Sequence, residues 1–199
     1  MTKTIRGFVL GTAAVGLMAV GSTNALAAEE YIIDTEGQHA FIQFRIQHLG
    51  FSWLYGRFND FDGSFVYDPD NPANSSVELT IDVASLDSNH AERDRHLRGD
   101  EFFHVRQYPE ARFVSTSFEE HDDGTATLTG ELTLKGNTEE ITIDVEQIGA
   151  GEDPWGDFRR GFQGTTTLTL ADFNVDVEDQ LGPSAREAEL ELAIEGIRQ

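Results

Sequence analysis

Six histidines (His39, His48, His90, His96, His104 and His121) stand among 36 acidic residues in a chain of 199, so metal ligation is the first chemistry to test. The spacing does not support it. On a helix, His90 and His96 lie roughly 240° apart around the axis at about 100° per residue, and neither His-Glu-x-x-His nor His-x-His occurs. No metal is expected. Glu92 and His96, at i and i+4, could share a helix face and work as acid and base, yet helix capping and surface ion pairing explain that spacing equally well. His48 ends the apolar side of a strand and is read as a core histidine before a ligand contact.

Nucleophilic and phosphate chemistry leave no mark either. There is no Gly-x-Ser-x-Gly, serines such as Ser115 and Ser117 fall at strand edges, and no glycine-rich loop leads into a long helix. The chain has no cysteine. That excludes disulfides, zinc knuckles, iron–sulfur clusters, a thiol nucleophile and a thioether lipid anchor. The sequence names no catalytic residue and calls for no cofactor.

Aromatic residues carry a stronger pattern. Phe41, Phe44, Phe51, Trp53, Tyr55, Phe58, Phe61, Phe65 and Tyr67 crowd into one stretch. They read either as ordinary core or as the wall of an apolar cavity for a lipophilic ligand. The residues expected to line such a cavity are Ile42, Phe44, Ile46, His48, Phe58, Phe61, Phe65, Leu79, Ile81 and Leu132. Polar recognition at its mouth would fall to arginine, since cations are scarce. Arg93, Arg95, Arg98, Arg159 and Arg160 are candidates, with Arg93, Arg98 and Arg160 the foremost contacts for an anionic head group. The competing account is that they pair with neighbouring carboxylates.

The elements that must position these residues are strands. Ile42, Phe44 and Ile46 alternate with Gln43, Arg45 and Gln47, and the same period of two recurs at Val77 to Val83, Thr127 to Leu134, Ile141 to Glu146 and Glu189 to Glu195. Turn signals separate the runs at Asp68 to Pro72, Asp122-Asp123-Gly124, Lys135-Gly136-Asn137 and Gly149-Ala150-Gly151. One wet face per strand and short turns indicate an all-β antiparallel sheet closed into a barrel or sandwich. The exception is a short helical excursion at about 87–109, capped by Asp87-Ser88-Asn89 and stopped at Gly99. Gly56, Gly63, Gly130 and Gly164 interrupt strand-like runs, as expected where a barrel strand bends or something approaches the backbone closely. Phe58 and Phe61 have opposite parity, so keeping both rings inside calls for a bulge near Asn59-Asp60.

The first 27 residues read as a cleaved secretory signal. Lys3 and Arg6 precede an uncharged stretch from Gly7 to Gly21, and Ala25-Leu26-Ala27 fits the small-x-small rule. Residues 28–199 would then form one domain, soluble and without a stable membrane anchor. The full chain carries a net charge of -22. Removal of Lys3 and Arg6 leaves 12 basic against 36 acidic residues, 11 of the 12 being arginine. So acidic a surface excludes nucleic acid as a partner and suits a saline environment, where salt screens its self-repulsion.

Several blocks together resemble one family. Glu36-Gly37-Gln38-His39-Ala40-Phe41-Ile42-Gln43-Phe44-Arg45-Ile46-Gln47-His48-Leu49-Gly50 with Trp53-Leu54-Tyr55-Gly56, and Asn89 to Arg98, are similar to the YceI family of periplasmic polyisoprenoid-binding proteins. So are Tyr108-Pro109 with Phe113, Gly130 to Gly136, and Asp153-Pro154-Trp155-Gly156. The resemblance spans the chain after the leader and is close to the enterobacterial type, from which the heavier acidity departs. It implies a lipocalin-like, eight-stranded antiparallel barrel that buries an isoprenoid lipid or quinone-like amphiphile in the periplasm, with no established catalysis. Monomer and homodimer stay open, as do the loops that gate the cavity, for which 87–109 and Gly149 to Arg160 are the candidates.

Overall fold

A computed structural model of the chain describes residues 28–199; the expected leader, 1–27, lies outside them. The strands are β1 (Glu29–Ile33), β2 (Phe41–His48), β3 (Ser52–Phe58), β4 (Phe61–Tyr67), β5 (Ser76–Asp82), β6 (Leu86–Asp87), β7 (Glu110–Glu120), β8 (Thr125–Leu134), β9 (Asn137–Glu152), β10 (Phe158–Thr169) and β11 (Glu187–Arg198). The helices are α1 (Ala91–Leu97) and α2 (Glu178–Leu181). Every strand pairing is antiparallel. In the order β1-β4-β5-β7-β8-β9-β10-β11 the sheet returns to β1, so eight strands close a barrel.

Two of its walls are broken strands. The C-terminal half of β11 pairs with β1, Ile33 facing Gly196, while its N-terminal half pairs with β2, Phe41 facing Ala193. Thus β1 and β2 are two stretches of one path along β11, and the Asp34 N–H bonded to the Glu195 carbonyl at 2.8 Å holds the break. Their neighbours break at the same level, β4 pairing with β1 and β3 with β2. The irregularity expected at Asn59-Asp60 is therefore a change of partner strand rather than a bulge within one strand. Backbone bonds pin it: Asn59 N–H donates to the Ser85 carbonyl, and Asp82 N–H to that of Asp60.

The alternation read from sequence reappears as burial. Ile42 and Ile46 are buried while Phe41 and Gln43 are exposed, and on β7 Ala111, Phe113 and Phe118 turn inward. Lys135 and Gly136 both take positive φ, making the two-residue turn that joins β8 to β9. Gly149-Ala150-Gly151, in contrast, is not a turn. It continues β9 opposite Gly161, Arg160 and Arg159, and the chain reverses at Asp153 to Asp157, where the Asp153 carboxylate accepts from the backbone N–H groups of Trp155 and Asp157. An Asp that gathers two turn amides defines the reversal better than glycine content does.

At the other end the edge of β3 that faces away from β2 meets only the two-residue β6, and the chain leaves the sheet for α1. The cap of α1 is His90, whose Nδ1 accepts from the Arg93 N–H at 3.2 Å, and not Asp87-Ser88-Asn89. Asp87 instead accepts from the Asn89 N–H, in a turn where Asn89 has φ of 60°. Leu97, the last residue of α1, and Phe103 beyond it are partly packed and Phe102 is fully so, which seats the excursion on the barrel core.

Candidate functional site

Two apolar cavities lie inside the barrel. The larger, about 130 Å³, lies at the α1 end and is walled by Ile42, Phe44 and Ile46 of β2, Phe58 of β3, and Ile81 and Leu132. Its cover is Leu97 and Phe103 of the 87–109 excursion together with Val175, Val177 and Leu181. The smaller, about 90 Å³, lies toward the other end, among Phe65, Tyr67, Phe118, Leu128, Val145 and Phe162. Neither wall contains a histidine or a carboxylate among the described residues.

Six of the ten expected wall residues thus meet in the larger cavity, and Phe65 lines the smaller. Leu79 is buried in the core between them and lines neither. Phe61 starts β4 beyond the break in the strand path and borders a polar groove with Thr35, Glu36 and Asp62. His48 ends β2, half-buried and outside both walls. The aromatic cluster is split between the two faces of the sheet: Phe41, Phe51 and Tyr55 are exposed, and Trp53 packs under the Arg45 guanidinium 4.4 Å away. The larger wall is mainly aliphatic. Sequence reading missed Leu168, Leu170, Ala188 and Leu190, although the alternation at the C-terminus already pointed Leu190 inward.

Among the described residues, one charged side chain reaches the larger cavity, and it is Arg93. Its Nε donates to Ser88 Oγ at 2.7 Å and its Nη2 to the Ser88 carbonyl. Ser88 also bonds the buried Asp94 carboxylate through its N–H at 2.9 Å and through its hydroxyl, so Arg93 and Asp94 meet only through Ser88. On the next turn Arg98 Nη2 donates to the Leu86 carbonyl, while Arg98 Nε is buried with no partner. Of the 11 arginines in residues 28–199, eight form an ion pair; Arg93, Arg98 and Arg106 form none. Arg95 pairs with Glu92, and His96 with Glu101, so the conceivable Glu92–His96 pair is not formed.

Arg160 does not join them. It is buried at the opposite end, where Nε donates to the Tyr31 hydroxyl, Nη1 to Gln147 and Nη2 to Glu29 at 3.0 Å. Its guanidinium also lies 4.1 Å from the Tyr67 ring centre. Burial, then the hydrogen bond to Glu120, pushes the Tyr67 hydroxyl up to about 12. Arg159, next in sequence and so on the other face, links Asp34, Asp153 and Glu195 at 2.6 to 2.7 Å. Asp34, His39 and Glu195 also bring ligand-type atoms within 4.8 Å of one another, but the Arg159 guanidinium already bridges both carboxylates. The hydrogen bond from His39, followed by those from Arg159 and the Gly37 N–H, holds the Asp34 carboxyl at about 2 against the upward push of burial.

The barrel fold is shared with known proteins. The sequence pattern of the YceI-like domain matches residues 31–196. This chain belongs to that family. A UPF0312 protein of Pseudomonas aeruginosa is 52% identical over 199 residues, all of both chains. Among solved structures, BcnA of Burkholderia cenocepacia superposes with a TM-score of 0.72 at 25% identity, over 82% of this chain and 98% of that one. A polyisoprenoid binding domain from Saccharophagus degradans, described as implicated in plant cell wall breakdown, has the same fold, with a TM-score of 0.63 at 15% identity, over 85% and 98%. The barrel fold is thus kept at low sequence identity. No helix among the described residues is long and apolar enough to cross a membrane.

Proposed function

We propose that this YceI-like barrel is a soluble periplasmic carrier that sequesters an isoprenoid lipid, of polyprenyl or quinone type, tail inward and without catalysis. The observation that carries this reading is the larger cavity: a wall of aliphatic and aromatic side chains, mainly aliphatic, ending at an arginine that has no carboxylate of its own. The name of the Saccharophagus degradans domain supports the ligand class, and the leader read at residues 1–27 supports the compartment. A histidine facing a carboxylate, as acid–base catalysis would need, is found in neither cavity wall among the described residues.

Burial alone provides the affinity. At about 0.8 kcal/mol per CH₂, one isoprene unit contributes roughly 3 kcal/mol before costs, so affinity follows the number of units buried. Tail burial does not tell one head group from another. That task falls to Arg93, whose side chain reaches the larger cavity, with Arg98 on the next turn outside its wall; a guanidinium group suits a phosphate or pyrophosphate.

Titration with geranylgeraniol, read by native mass spectrometry, tests the reading. One lipid per barrel is expected, and Ala188→Phe, which fills the larger cavity, is expected to abolish binding. Absence of binding, or equal binding by the filled variant, overturns it.

A further inference from the structure

We infer that Phe113, with Leu79 and Ile33, partitions the lumen and sets how many isoprene units of a tail are buried, an inference that rests on the lipid reading above. Neighbouring strands place the partition at one level. Along β5 the inward residues run from Ile81, on the larger cavity, through Leu79, on neither, to Val77 on the smaller. Along β7 the order is Ala111, Phe113, Phe118, and along β8 it is Leu132, Gly130, Leu128. Leu79 and Phe113 face each other in the ladder.

Glycine gives the partition its seat. A methyl group at Gly130 would stand 2.5 Å from Phe113 Cζ, so the ring covers a position where β8 offers no side chain. At Gly63, opposite Leu79, a methyl would meet the Glu78 carbonyl at 2.4 Å and, on the side-chain side, Ile33 Cδ1 at 3.1 Å. Phe113 and Ile33 thus take up room that inward side chains on β8 and β4 would otherwise fill. The lumen, which the barrel walls would otherwise leave continuous, is cut in two.

The volumes say what that does to a tail. An apolar cavity of about 150 Å³ holds one benzene, so the larger cavity, about 130 Å³, holds roughly one isoprene unit. Units beyond the first stay outside unless the partition gives way. Phe113 is therefore a specificity residue for chain length.

The test compares geraniol, farnesol and geranylgeraniol on the full barrel, its Phe113→Ala variant and the milder Phe113→Leu. The readout is the ratio of affinities between the longest and shortest alcohol, which a general loss of stability does not move. The parent protein is expected to show a ratio below about tenfold, and Phe113→Ala to raise it by at least tenfold, with Phe113→Leu in between. An unchanged ratio in both variants overturns the partition while leaving the lipid reading intact. Failure of the parent protein to bind any of the alcohols overturns the lipid reading instead. Xenon diffraction then decides the partition alone: two separate sites in the parent and one continuous site in Phe113→Ala support it, and separate sites in both reject it.

Discussion

Phe44 faces Gly56 across the β2–β3 ladder, and its ring covers the glycine so closely that a methyl group at 56 would come within 2.3 Å of Cζ. One side chain thereby serves two strands and forms part of the larger cavity wall. Gly56→Ala must displace the ring, which should cost about 1 to 3 kcal/mol. In a Phe44→Ala background the same change should cost far less. Urea unfolding of the four proteins of this cycle gives the coupling, and additive effects would show that ring and glycine are independent.

Arg93 should act on the head group and not on the tail. Arg93→Ala is expected to weaken geranylgeranyl diphosphate by about tenfold or more while changing geranylgeraniol by less than about threefold, since only the diphosphate loses a charge-assisted hydrogen bond. Isothermal titration of both ligands decides it. Equal losses would assign Arg93 to holding Ser88 and α1 in place.

Asp34 ties the strand break to Arg159 and His39, and its carboxyl lies at about 2 in the folded protein. A depressed pKa means that the folded state holds the ionised form more strongly than the unfolded chain does. The stabilisation is complete above the unfolded value of about 3.9 and is lost as pH falls from there to about 2, amounting to roughly 2 kcal/mol. Asp34→Asn should lower stability at pH 7 and flatten the fall in stability between pH 4 and pH 2. A parallel fall in the two proteins would contradict this.

Excess negative charge predicts a salt response of the opposite sign to that of ion pairs. Surface pairs such as Arg112–Glu78 weaken with salt and are worth little when exposed, whereas self-repulsion among the many unpaired carboxylates is screened. The melting temperature should therefore rise between low and molar sodium chloride. A constant or falling value would remove the saline-environment reading.

Much of the barrel was legible because one wet face per strand leaves a period of two, as at Ile42-Phe44-Ile46 or Leu190-Leu192-Ile194. The strand breaks were harder to see. Phe58 and Phe61 differ in parity, which signals an irregularity, but only the long-range pairing of β4 with β1 shows that the chain changes partner there. Gly149-Ala150-Gly151 misled because three small residues read as a turn, whereas in β9 they extend the ladder toward Arg159 and Arg160. Local sequence also placed Arg93, Arg98 and Arg160 together. The fold puts the first two on α1 and its end and the third at the far end of the barrel, because strand direction and barrel length, not sequence spacing, decide which arginines meet. The His90 cap was missed for a similar reason: histidine is a rare cap, and Asp87, Ser88 and Asn89 beside it are common ones.

The central claim is that the lumen holds an isoprenoid tail in the cell. Mass spectrometry of lipid extracted from the protein isolated from its native cells tests it most directly. The expected result is a stoichiometric polyprenyl or quinone-type lipid whose fragments are spaced by isoprene units. Ligand-free protein that also refuses geranylgeraniol after isolation, or a stoichiometric lipid with no isoprenoid chain, would contradict it.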